Sequence, residues 1–209
     1  MKKSILVLAA SALVIMSCNN SSSNADSSKE SHDNEMAIQS DDNVDVNVKT
    51  VSPTFTDVNA GVTTFMKSLV QNYLDIKNAL VKDDSTSAAA ASVKLKDEMK
   101  IFNKGLPDGQ TGLFTAAQKK IYDSVEGNLK EQAEDISKSK LADQRQHFFI
   151  MSKDVYTLVK AFNTGITLYG DNCPMYNNGA SWLSEVKEIR NPYLGKKMPG
   201  CGSVEEIFQ

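Results

Sequence analysis

Val62-Thr-Thr-Phe65-Met66-Lys-Ser-Leu69-Val-Gln-Asn-Tyr73-Leu-Asp-Ile76-Lys-Asn-Ala-Leu80 sets its large apolar residues three and four apart. That spacing puts them on one face of a helix and leaves the polar residues on the other. With Thr56 or Asp57 as cap, the helix is expected to run to about Lys82. Downstream, Asp83-Asp84-Ser85 offers caps for a second helix with Ala88, Ser92, Leu95, Met99 and Phe102 on its stripe, ended by Gly105-Leu-Pro107-Asp-Gly109. A third helix is expected to turn Phe114, Ala117, Ile121, Val125, Asn128, Gln132 and Ile136 inward. A fourth carries Leu141, Gln144, Phe148, Met151, Val155, Leu158 and Phe162 and closes at Gly165. Short connections make sequential helices antiparallel neighbours, so the expected fold is all-α, an up-down four-helix bundle.

Residues 166–209 change character. Gly170, Pro174, Gly179, Pro192, Gly195 and Pro199-Gly200 break any helical period, which predicts an irregular Gly/Pro-rich cap on the bundle. Ser203-Val-Glu-Glu206 has the spacing of a capping box, so a short last helix is expected there.

Upstream, Lys2-Lys3, an apolar run from Ile5 to Ile15 and Ser17-Cys18 have the form of a bacterial lipoprotein signal, with Met16 in place of the usual small residue. Residues 1–17 are then a signal peptide and Cys18 is the acylated first residue of the mature chain, palmitate included. The protein is expected in the cell envelope, anchored in a membrane and facing the periplasm or the outer surface. From 18 to 52 the chain is Ser, Asn and Asp with scattered valine, too poor in apolar residues to offset ordering entropy, and reads as a disordered acidic tether. His32 and Met36 within it form at most a weak soft-metal catch. The folded domain is expected at 53–209.

The 209 residues are 41% hydrophobic and 23% charged with a formal net charge of −3. Seven acids in the tether face only Lys29 and Lys49, leaving nineteen charges of each sign from Pro53 onward. A formally neutral domain behind an acidic tail lacks the basic face that phosphates require, which excludes a nucleic-acid binder. Two histidines and no isolated nucleophile–base pair or phosphate-cradling loop argue against an enzyme, and no organic cofactor is expected.

The chemistry concentrates in sulfur. Cys173 and Met175 flank a proline, Met198 and Cys201 flank Pro-Gly, and the loops between can bring the pairs together. Thiolate with thioether is a soft donor set that suits Cu(I) or Ag(I), whereas zinc prefers thiolate with imidazole. His147 is a candidate fifth ligand if its end of the fourth helix faces the cap; otherwise it is a hydrogen-bonded surface histidine. With Cys18 acylated, the two remaining thiols of an exported protein also suit a Cys173–Cys201 disulfide, which contributes on the order of 3 kcal/mol by the chain-entropy argument. Met175 and Met198 would then be packing residues. Trp182 can plug the core or shield a cation, and Arg190-Asn191-Pro192-Tyr193 is expected to organise a turn.

Several of these segments together resemble a known family. They are Tyr73–Leu80 with Asp83-Asp84, Gln144-Arg145 with Phe148 and Ser152, Cys173-Pro-Met175, Trp182-Leu-Ser184, Ile189-Arg-Asn-Pro-Tyr193-Leu-Gly195 and Met198-Pro-Gly-Cys201-Gly202. They look like the uncharacterised lipoprotein domain of Bacteroidetes-type bacteria, which occurs alone or attached to periplasmic adaptors of copper and silver efflux pumps. The resemblance spans about 58–209 and is most specific in the last forty residues. Leu194 and Pro199 depart from its pattern without removing a candidate ligand. It implies a helical domain with a soft-metal site and no established activity, and places metal binding above a bare disulfide. The expected function is an envelope lipoprotein that binds Cu(I) or Ag(I) as a buffer, chaperone or efflux accessory, with a copper efflux adaptor or pump as partner. The alternative is a structural or protein-interaction lipoprotein stapled by the disulfide.

Overall fold

The computed structural model describes residues 48–105, 112–162 and 164–209. The leader 1–17, Cys18, and the tether up to residue 47 with His32 and Met36 lie outside the described residues.

Four helices form as the spacing predicts: α1 Ala60–Val81, α2 Ser85–Lys104, α3 Ala116–Lys138 and α4 Leu141–Ala161. Side chains fix three of their starts by meeting N–H groups that have no partner inside the helix. Asn59 accepts from the Gly61 N–H at 2.8 Å, in place of the expected Thr56 or Asp57, and Asp84 accepts from Ser87 at 2.9 Å. Thr115 and Gln118 form a reciprocal capping box. Sequential helices pack as neighbours, α1 on α2, α2 on α3 and α3 on α4. The stripe of α1 is buried as read, from Val62 through Leu80. On α3 the buried face is rotated: Gln118, Tyr122 and Leu129 point inward with Val125, Gln132 and Ile136, while Ala117 is exposed. The stacked Tyr122–Phe114 pair and the Tyr122 hydroxyl bond to Asn103 at 3.0 Å account for the rotation, because the ring fills the core and its polar end reaches a partner.

The expectation of an all-α fold with an irregular cap is corrected by a four-stranded mixed sheet. Its strands are β1 Lys49–Val51, β2 Leu168–Cys173, β3 Ala180–Ser184 and β4 Ser203–Phe208, in the spatial order β1-β4-β2-β3. β2 runs antiparallel to β3 and to β4, and β1 runs parallel to β4. Asn177, Asn178 and Gly179 all have positive φ, the left-handed turn chemistry that returns one strand onto the next. What reads as irregularity is therefore a hairpin, Pro174 to Gly179 being its loop. The short last helix expected from Ser203-Val-Glu-Glu206 is β4 instead: pairing on both flanks outweighs a four-residue local signal. β1 lies within the stretch read as tether, so regular structure is present ahead of Pro53. After β1, the Thr54 and Phe55 N–H groups donate to the Lys160 and Ala161 carbonyls at 2.9 Å each, satisfying the open end of α4.

One contiguous core joins bundle and sheet, with Trp182, Leu183 and Leu168 as buried as Tyr73 or Phe148. β3 packs on α4 and α1.

Candidate functional site

The β2 register sets Cys173 opposite Ala180 at the end of the hairpin, and β4 begins just after Cys201. Because Asn172 pairs with Ser203, these two chain segments run side by side. The two sulfurs, 28 positions apart in the chain, lie 2.9 Å from each other as free thiols. Cys173 is fully buried and Cys201 is partly exposed. Gly202 makes the approach possible. Its φ is +139°, and a Cβ there would stand 2.7 Å from the Asn172 carbonyl oxygen and 3.0 Å from the Trp182 ring.

Asn191 holds the loop that carries Cys201. Its side-chain amide donates to the Cys201 carbonyl at 2.7 Å, and its side-chain oxygen accepts from the Tyr193 and Leu194 N–H groups at 2.8 and 2.9 Å. Its own N–H donates to the Pro199 carbonyl at 2.9 Å. The expected organising turn is thus an Asn-centred knot, completed by a 3-10 turn at Gly195–Lys197.

Three side chains link this knot, the sheet and the bundle. Arg145 on α4 donates from Nε to the Pro192 carbonyl at 3.0 Å and from Nη2 to the Leu80 carbonyl at 3.1 Å, and pairs with Asp83 between α1 and α2. Tyr193 donates to the Ser181 carbonyl at 2.6 Å, which leaves its oxygen to accept from the Ser152 hydroxyl at 3.2 Å. Tyr73 meets the same Ser152 hydroxyl at 2.8 Å and accepts from the Leu183 N–H at 3.2 Å.

The site's electrostatics divide the two thiols. Burial raises the Cys173 thiol, but hydrogen bonds from Cys201, the Met175 N–H, the Asn191 side chain and the Tyr176 N–H outweigh it and bring the group below its ordinary value. Cys201 is pushed up, chiefly because its thiol serves Cys173 as a hydrogen-bond partner. The pair therefore ionises in two separated steps, the first giving one negative charge shared across the contact.

Met175 and Met198, each in a turn next to one of the cysteines, are 64% and 41% exposed. Neither packs in the core, contrary to the role the disulfide alternative assigns them. His147 points elsewhere: its Nδ1 lies 2.9 Å from Gln132 Oε1 and 3.6 Å from Asp135 Oδ2, both on α3. Arg145 and Phe149, which meet the cap, sit on the opposite side of α4. Trp182 is fully buried, edge-on to Tyr193 at 5.7 Å.

Among the described residues, no group of three or more His, Cys, Asp and Glu side chains is placed to hold a metal. The donor set at the cap is two thiols with exposed thioethers nearby. It fits a soft monovalent ion of low coordination number and does not fit a four-coordinate zinc site.

Sequence reading missed a buried polar cluster beside the sheet. Lys77 is fully buried and donates to Glu185 at 2.6 Å and to Ser184 Oγ at 3.3 Å. Asp171, the cross-strand partner of Trp182, is buried, and among the described residues neither of its oxygens meets a donor in hydrogen-bond geometry, the Trp182 indole beside it included. Burial pushes its carboxyl up to about 8 against the pull of Lys77. Lys77 falls on the inner side of α1 beside Tyr73 and Leu80, and that position was the available signal. A cleft of about 550 Å³ lies between α4 and the sheet, lined by Lys49, Tyr156, Lys160 and Glu206 among others. Lys160 there is paired with Glu206 at 3.2 Å.

Residues 69–167 match the model of a family described as a protein of unknown function, DUF3347. The match runs from within α1 to the residue before β2 and stops short of the sulfur cap. No curated protein and no solved structure matches the chain.

Proposed function

We propose that this chain is an envelope lipoprotein, tethered through Cys18, whose cap binds Cu(I) or Ag(I) through Cys173 and Cys201 with Met175 and Met198 as supporting thioethers. The resemblance of the cap segments favours this reading, with a metal buffer, chaperone or efflux accessory as its role and a copper efflux adaptor or pump as its partner. The observation that carries it is the meeting of the two sulfurs at 2.9 Å, one of them ringed by hydrogen-bond donors that favour the thiolate. A thiolate is the form that ligates metal, and two of them neutralise and hold a soft monovalent ion while uncharged thioethers complete its shell.

The closeness of the sulfurs also favours the second reading, a disulfide-stapled interaction module. Full-length protein carrying Cys18→Ser, so that only Cys173 and Cys201 are thiols, separates the two. Titrated with Ag(I) or Cu(I) after reduction, it should take up one ion and hold it against a moderate competitor. If it binds no better than the variant that also carries Cys173→Ser and Cys201→Ser, the metal reading fails and the interaction module takes its place.

A further inference from the structure

The two sulfurs differ in access. Cys173 is fully buried at the end of β2, whereas Cys201 is partly exposed between two glycines, and beside Gly200 the space is open, with no atom of the described residues other than its chain neighbours within 4 Å of where a Cβ would stand. They touch at 2.9 Å as free thiols, each held by its own scaffold: β2 paired to β3 and β4 for one, the Asn191 knot for the other.

From this arrangement we propose that the pair is a redox gate on the soft-cation site, worked by thiol–disulfide exchange that begins at Cys201 and ends in a Cys173–Cys201 bridge. What is gated rests on the proposed function; the order of exchange does not.

The oxidant is an external disulfide, R–S–S–R, of a protein or a small molecule. Cys201 gives up its proton and attacks one of its sulfurs: a Cys201–S–R bond forms, the R–S–S–R bond breaks, and the leaving thiolate takes up the proton. Cys173, deprotonated and already in contact, then attacks Cys201 Sγ. The Cys173–Cys201 bond forms, the bond to R breaks, and the second thiolate leaves and takes up the second proton. Two thiols have lost two electrons and two protons, and R–S–S–R has become two R–SH. The reverse order is blocked because an incoming disulfide cannot reach a sulfur with no exposed surface.

The bridge closes the cation site because neither bridged sulfur is a thiolate. Reciprocally, a bound ion engages both thiolates and shields them from exchange. The gate is open when the pair is reduced and closed when it is bridged.

The test uses full-length Cys18→Ser protein and a chromogenic aromatic disulfide. The variant with Cys173→Ser should form a stable mixed disulfide and release one equivalent of aromatic thiol. The variant with Cys201→Ser should react ~100-fold more slowly while folded, and both should react alike in denaturant. With both cysteines present, two equivalents should be released, leaving no adduct and a mass lower by two hydrogens. Prior loading with Ag(I) should suppress the release. Equal rates for the two folded single-cysteine variants, or a reaction that halts at the mixed disulfide, overturns the proposal. So does bridged protein that takes up Ag(I) as well as the reduced form. Exchange that runs through Cys201 to the bridge in a protein that never binds Ag(I) or Cu(I) refutes the cation reading instead, and leaves the order of exchange standing.

Discussion

The Asn191 side-chain amide donates to the Cys201 carbonyl at 2.7 Å while the oxygen of the same amide accepts from the Tyr193 and Leu194 N–H groups, so a single buried side chain fixes the loop bearing the outer sulfur. Asn191→Ala leaves one part-buried carbonyl and two N–H groups without this partner. The expected cost is about 2–4 kcal/mol in urea unfolding, since each unmet buried group carries its desolvation penalty. Asn191→Asp restores the acceptor but not the donor, and should fall between the two.

Gly202 and Gly200 flank Cys201 and should respond in opposite ways to the same substitution. Gly202→Ala drives a Cβ to 2.7 Å from the Asn172 carbonyl oxygen at a φ that L residues rarely adopt. A loss of about 2 kcal/mol or more is expected, with faster amide exchange along β2 and β4. Gly200→Ala meets open space and should stay within about 0.5 kcal/mol of the parent. Equal effects from both would show that the close approach at Gly202 is not a constraint.

The bundle half of this chain was legible because a 3.6-residue period repeats over twenty residues and few alternatives satisfy it. Val62 through Leu80 on α1 and Gln144 through Leu158 on α4 fall where that period puts them. The sheet was not, for a physical reason: its strands are three to six residues long, and most of their pairing is with segments distant in sequence. Of the cap's local signals, only the turn at Asn177-Asn178-Gly179 pointed to a hairpin. The Cys173–Cys201 proximity was readable from composition and the resemblance together. The Lys77–Glu185 pair and the buried Asp171 were not, because the surroundings of a buried ionisable group are defined by what the tertiary fold places beside it.

Arg145 joins α4 to the α1–α2 turn and to the cap in one guanidinium, so a flexible ammonium is a poor replacement. Arg145→Lys keeps the charge but cannot reach the Pro192 carbonyl, the Leu80 carbonyl and Asp83 at once. A loss of about 1–2 kcal/mol is expected, and a double-mutant cycle with Asp83→Asn should show a coupling between the two positions.

Acid should weaken the contact between α2 and α3. Hydrogen bonds from Lys138 and then Lys96 hold the Glu134 carboxyl down at about 2. A carboxyl depressed in the folded state contributes stability above its unfolded value near 4.3 and loses it as pH falls through the folded value. Urea midpoints of the parent should therefore drop between about pH 4.5 and pH 2 more steeply than those of Glu134→Gln. Identical acid limbs would mean the pair is screened out in solution, as exposed ion pairs often are.

If the cap takes a soft ion, loss of affinity should rank by donor charge. Cys173→Ser or Cys201→Ser removes a thiolate and should cost at least about tenfold more than Met175→Leu or Met198→Leu, measured by competition for Ag(I). Zn(II) should compete poorly. His147→Ala should change little, since its nitrogen is engaged by Gln132 on α3.

β4 comes after every other described element in the chain, yet it is the strand on which both β1 and β2 depend. As the chain emerges during synthesis or translocation, the helices can condense on partners close by, while β2 waits with one edge open. Cys201 follows Cys173 by twenty-eight positions, roughly 1–6 s of elongation at ordinary rates. Throughout that interval the first thiol is unburied and its eventual neighbour does not yet exist, so a nascent chain is most exposed to wrong pairing just before its last strand closes the sheet.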